Sequence, residues 1–95
     1  MAGFVIIDVE ITDAERYGEF MEKVTATVEA YGGKFTVRGG AFDVIEGDWT
    51  PNRLALLEFA TVEDSRTWLA SPEYNALNEI RTSSSNINMV VVEGA

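Results

Sequence analysis

The stretch from Tyr31 to Trp49, YGGKFTVRGGAFDVIEGDW, does most to limit what this chain can fold into. Gly32-Gly33 predicts the end of a helix, since glycine takes the left-handed C-cap conformation at little cost. Residues 34–38 then read as a strand, with Phe35 and Val37 on one face and Thr36 and Arg38 on the other. Gly39-Gly40 permits a bulge or a sharp bend. Residues 42–46 read as the next strand, with Val44 and Glu46 on one face, and Arg38 and Glu46 are expected to pair across the hairpin. The turn-rich Gly47-Asp48-Trp49-Thr50-Pro51-Asn52 reads as a loop. A central hairpin of this kind leaves the rest of the chain to flank it as strand–helix units.

Those units are legible on both sides. Residues 4–11 alternate, with Val5, Ile7, Val9 and Ile11 forming one apolar face, and period two with β-branched residues is a strand. Thr12-Asp13-Ala14-Glu15 reads as a capping box with Thr12 as the cap. The helix it opens, about residues 13–31, carries Tyr17, Phe20, Met21, Val24, Val28 and Tyr31 at helical spacing. After the hairpin, residues 53–59 form a strand with Leu54, Leu56 and Glu58 on one face and Ala55, Leu57 and Phe59 on the other. Thr61 caps a helix bearing Val62, Trp68 and Leu69. Ser71-Pro72 restarts a short helix, with Ser71 as N-cap and Tyr74, Leu77 and Ile80 on its apolar side. Residues 82–86 are a polar connection, and residues 87–93 form the last strand.

This order predicts an α+β fold, a ferredoxin-like β-α-β-β-α-β sandwich with an extra short helix before the last strand. At 95 residues the whole chain, 1–95, is one domain. Two helices cover one face of a four-stranded sheet, and the other face meets water or a partner. That second face is expected to hold Phe4, Ile6, Val44, Leu54 and Leu56 together with Asp8, Arg38, Glu46 and Glu58. It is too apolar for water. The simplest cover is a second copy, giving a homodimer through facing sheets that closes a barrel, with further pairing of dimers open.

Composition excludes several functions. With 16 acidic and 7 basic residues the net charge is −9, which argues against nucleic acid and anionic membrane surfaces as partners. No apolar run approaches the ~20 residues of a membrane span. The chain has no cysteine, hence no disulfide and no thiolate nucleophile. It has no histidine either, which removes the commonest general base and the usual zinc and haem ligands. The opening MAGFVIIDVEIT has no basic n-region and alternates too regularly for a signal peptide, so a cytoplasmic location is expected. No phosphate loop, nucleophile elbow or dinucleotide fingerprint is present, and no spaced acidic loop suggests a metal site. No cofactor is expected.

The sequence resembles the DUF1330 family of the dimeric α+β barrel superfamily, nearly end to end. The likeness is carried by the opening strand and Tyr17, Tyr31-Gly32-Gly33, Val37-Arg38-Gly39-Gly40, Glu46-Gly47 with Trp49, Leu57-Glu58-Phe59, Trp68 with Ser71-Pro72-Glu73-Tyr74, and Val91-Val92-Glu93-Gly94. The resemblance implies a ferredoxin-like subunit and a dimer with facing sheets, and it hands over no reaction. The wider superfamily includes cofactor-free monooxygenases, muconolactone isomerase-like enzymes, haem-degrading enzymes and chlorite dismutase-like proteins, which bind small molecules between sheet and helices. The absence of histidine removes most from the haem analogy.

Candidate chemistry follows from the residue types. Arg38, on a strand beside glycines, has the fork of donors that clamps a carboxylate or enolate; an ion pair with Glu46 is the plainer role. Glu46 and Glu58 are candidate general bases if burial raises a carboxyl toward neutrality, or they share the charge of Arg38. Asp8, nearer a strand end, is a solvated relative of these. Tyr17, Trp68 and Tyr74 line an aromatic pocket or fill the core, and Trp49 covers a cavity mouth or plugs a partner. Arg53 and Arg81 are candidates to neutralise an anionic ligand at the pocket rim. Two functions remain: a cofactor-independent enzyme, monooxygenase- or isomerase-like, acting on a small organic acid or aromatic molecule, and a non-catalytic ligand-binding or accessory dimer.

Overall fold

The computed structural model describes all 95 residues. Strand β1 (Gly3–Ile11) leads to helix α1 (Ala14–Ala30), and β2 (Lys34–Arg38) and β3 (Leu54–Phe59) follow. Helices α2 (Val62–Leu69), α3 (Pro72–Asn75) and α4 (Asn78–Ser84) then lead into β4 (Ser85–Glu93). The sheet order is β2-β3-β1-β4 with every neighbouring pair antiparallel, the arrangement of a split βαβ fold. The molecule measures 35 × 33 × 17 Å, and the short axis is the thickness of one sheet and one helix layer.

The alternation sorts the two faces as expected. Val5, Ile7 and Val9 of β1 and Ala55, Leu57 and Phe59 of β3 are buried under the helices. Tyr17, Phe20, Val24 and Val28 of α1 meet them. Phe59, Trp68 and Tyr74 form a chain of tilted rings with centroids 5.6 and 4.5 Å apart. The Trp68 Nε1–H donates to Thr27 Oγ1 at 3.0 Å, which ties α2 to α1. Gly33 is the close-packed point of this region, because a Cβ there would stand 2.5 Å from the Phe59 ring.

Four local expectations are corrected. Residues 42–46 form no strand. Gly39, at φ 72°, turns the chain out of the sheet after β2, its N–H bonds Leu54 O at 2.8 Å, and 40–50 run exposed. An apolar alternation without a neighbour to pair with does not make a strand. The cap of α1 is Asp13, whose carboxylate accepts from Arg16 N at 3.1 Å, because the Thr12 N–H is spent on Ser84 O. The expected connection at 82–86 is wholly helix and strand, 82–84 ending α4 and 85–86 opening β4. There Thr82, Ser84 and Ser85 hydroxyls bond back to Asn78, Ile80 and Arg81 carbonyls, so polar residues close the last turn of α4 without solvent.

The fourth correction is in β2. Phe35 stands opposite Leu57 but Val37 stands opposite Leu56, so Thr36 is an extra residue. Such a bulge reverses the facing of everything after it. Val37 therefore joins the open face, and Arg38, opposite Ala55, joins the helix face.

The open face carries Phe4, Ile6, Leu54 and Leu56, half-buried, with Val90 and Val92 exposed. Loop residues Phe42, Val44, Ile45 and Trp49 add exposed apolar surface. No helix is long and apolar enough to cross a membrane.

Replacing Gly33 by alanine drives a methyl group into the Phe59 ring. Overpacking of this kind costs about 1–3 kcal/mol. The Gly33→Ala protein is expected to unfold at lower urea than the parent with an unchanged m value, whereas an unchanged midpoint would show that the ring yields freely.

Candidate functional site

A cavity lies between the helix face of the sheet and the helix layer. Ile7, Ala55, Leu57, Phe35, Ile87 and Met89 supply its floor, and α1, Trp68, Tyr74 and Arg81 supply its walls and roof. Its free interior is about 20 Å3. It is narrow, with room at its centre for no more than a water or two. Twelve of its 13 lining residues are hydrophobic, and the exception is Arg81.

Three arginines surround this cavity, and each stacks on a ring that lines it. The Arg38 guanidinium lies 4.9 Å from the Phe35 centroid, Arg53 lies 5.9 Å from Tyr17, and Arg81 lies 5.7 Å from Tyr74. Arg38 Nη2 donates to Thr25 Oγ1 of α1 at 3.1 Å, a partner that only the bulge at Thr36 brings within reach. Arg81 Nη2 donates to Asn78 Oδ1 at 3.2 Å. Arg81 Nε and Arg53 Nη1 are buried and find no acceptor on the protein. Arg53 takes its position because Gly39 leaves room: a Cβ at 39 would meet the guanidinium at 2.7 Å.

Burial pushes the Tyr17 phenol above the usual range, with Arg53 pulling the other way. Burial raises Tyr74 as well, against the opposing pull of Arg81. Both phenols are therefore neutral hydrogen-bond donors near neutrality. The surface that these and the other lining residues present to the cavity is almost wholly apolar.

Of the residues picked out in the sequence, Tyr17, Trp68, Tyr74 and Arg81 line the cavity, and Arg38 and Arg53 stand against its rings. The rest lie elsewhere. Arg38 and Glu46 form no pair; both are exposed, and the ion pair of this structure is Arg16–Glu79 at 4.0 Å on the surface. Glu46 sits on the loop between β2 and β3. Glu58 is half-buried on the open face, opposite Lys34 and Phe4. No group of three or more carboxylates converges as metal ligands would. Phe20, Met21, Val24 and Phe35 complete the lining. Their helical or alternating spacing marked them as core, and a core that stops short of closing looks the same in sequence.

Asp8 does a different job on the open face. Its carboxylate accepts from Trp49 Nε1 at 3.0 Å and from Asn52 N at 2.9 Å, and so straps the 39–53 loop to β1. Trp49 stays 60 % exposed over that face, away from the cavity.

The sequence matches the family described as "Domain of unknown function (DUF1330)" over residues 2–95. The chain belongs to the DUF1330 family. No curated protein matches it. Among solved structures, this DUF1330 chain is similar to RPA0582 of Rhodopseudomonas palustris, a protein of unknown function. The TM-score is 0.77 at 14 % identity, over 99 % of this chain and 82 % of that one. It is similar to SnoaB of Streptomyces nogalater, a cofactor-independent oxygenase, with TM-score 0.59, 16 % identity, and 99 % and 92 % covered. A dimeric protein of unknown function and ferredoxin-like fold from Bacteroides fragilis gives 0.57 at 17 % identity, with 98 % and 96 % covered. At these identities the likenesses establish the DUF1330 fold as ferredoxin-like and leave its chemistry to the site.

The Trp49 N–H holds the Asp8 carboxyl below its usual range, with burial opposing. A lowered folded value contributes stability above the ordinary aspartate range, and that stability is lost as pH falls through the folded value. Asp8→Ala is expected to cost about 1–3 kcal/mol at pH 7, the range for removing a partner of buried hydrogen bonds. The gap between variant and parent in urea melts should narrow as pH falls below the ordinary aspartate range; a gap independent of pH would mean that the strap does not depend on charge.

Proposed function

We propose that this protein binds a small aromatic molecule or organic acid in the cavity between sheet and helices, and acts on it without a cofactor in the manner of an oxygenase. The apolar cavity with neutral phenols and arginines at its walls carries this reading. Its free interior of about 20 Å3 holds a water and not a ring, so binding requires the helix layer to shift and open it. No carboxylate lines it, so the site is arranged to stabilise negative charge and not to remove a proton. That favours chemistry on a substrate that ionises unaided over an isomerisation that needs a base. Likeness to a cofactor-independent oxygenase supports the same class.

The test is oxygen uptake by aerated 1-naphthol with purified protein and no added cofactor. Protein-dependent uptake that falls at least about tenfold in Tyr17→Phe supports catalysis, since a donor to a developing oxyanion contributes about that much or more. Binding without uptake moves the protein to the second reading, a ligand-binding accessory dimer, which the same cavity serves.

The open face supports a homodimer through facing sheets. Phe4, Ile6, Leu54, Leu56, Val90 and Val92 form an apolar surface of the kind that a monomer does not leave wet. Light scattering after gel filtration is expected to give twice the 10.5 kDa chain mass at micromolar concentration, and a single-chain mass would remove this assembly.

A further inference from the structure

We propose that the ligand of the cavity is an anion with an apolar body, a carboxylate or a similarly charged oxygen on a frame of one or two rings. Arg81 seats its charged end, with Arg53 as a second donor. This rests on the cavity being the binding site and on the helix layer shifting to admit a ring.

Three observations carry it. The chain has 16 acidic residues against 7 basic ones, so an arginine has carboxylates to spare. Yet Arg38, Arg53 and Arg81 have none, and all three are gathered against rings of one cavity. Second, Arg81 Nε and Arg53 Nη1 are buried without an acceptor. Leaving a charged donor unsatisfied costs more than the ~1–3 kcal/mol of a neutral one, so each of these groups calls for an outside acceptor, and that of Arg81 stands in the lining of the cavity. Third, Arg81 is the single charged residue in a lining that is otherwise hydrophobic. One cation in an apolar cavity matches one anionic group on an apolar body.

The surroundings support this. Arg38, Arg53 and Arg81 make a positive site in a chain of net charge −9, so the cavity is the place on this molecule where a small anion is drawn in. Tyr74 and Tyr17 hold the Arg81 and Arg53 guanidinium planes, which fixes their N–H directions before a ligand arrives. A partner copy packed on the open face would stand across the sheet from Arg81 and would supply it no carboxylate.

Calorimetric titration with 1-naphthoate and with 1-naphthamide, its neutral analogue of the same shape, tests the proposal at pH 7.5. Naphthoate is expected to bind about tenfold more tightly or better, the worth of one charge-assisted hydrogen bond. Arg81→Gln should abolish that preference by weakening naphthoate far more than naphthamide, and Arg53→Gln should reduce it. Equal or tighter binding of naphthamide by the parent protein would overturn the anion proposal and leave the cavity as a binding site. Binding of neither would remove the cavity reading and this proposal together. The parent comparison needs no variant, so it decides even if Arg81→Gln fails to fold.

Discussion

The burial of Trp68 is the contact on which the rest of this structure hangs. Its ring, 1 % exposed, lies between Phe59 of the sheet and Tyr74 of the helix layer, and its N–H bonds Thr27 on the long helix. One side chain thus sets the spacing of sheet, α1 and α3. It is also one wall of the cavity, so the contact that holds the layers together also defines the space left between them. A buried indole brings a large apolar area and one polar group that must be satisfied, and Thr27 satisfies it.

From that spacing the arginines follow. Tyr74, fixed against Trp68, carries Arg81. Tyr17 carries Arg53, which fits because position 39 has no Cβ. Arg38 reaches Thr25 because one extra residue in β2 turns it toward the helices. Each guanidinium is placed by packing and not by a countercharge. Such placement leaves its donors available to something that is not part of the chain.

Much of the fold was legible in the sequence, and the reasons are local. Val5-Ile7-Val9 and Ala55-Leu57-Phe59 alternate without ambiguity, the α1 stripe keeps helical spacing, and Thr61 and Ser71 mark helix starts. What could not be read was non-local. Phe42 to Glu46 has a strand pattern but no neighbour in the sheet. The bulge at Thr36 is visible only once Val37 is seen opposite Leu56, and it moved Arg38 from one face to the other. Tyr17, Trp68, Tyr74, Arg53 and Arg81 were recognisable as candidates by type. That they converge, while Glu46 and Glu58 stand apart, depends on the path of the 39–53 loop and on the face that β3 turns away from the helices.

On this reading, arginines without countercharges, held by aromatic rings, mark the cavity as an anion site. A crystal structure grown with 1-naphthoate tests it most directly. The naphthalene is expected against Trp68 and Met21, with the helix layer displaced to admit it and a carboxylate oxygen within hydrogen-bond distance of Arg81 Nε. Naphthoate bound only on the open face, or Arg81 turned away to pair with a carboxylate of the protein, would contradict it.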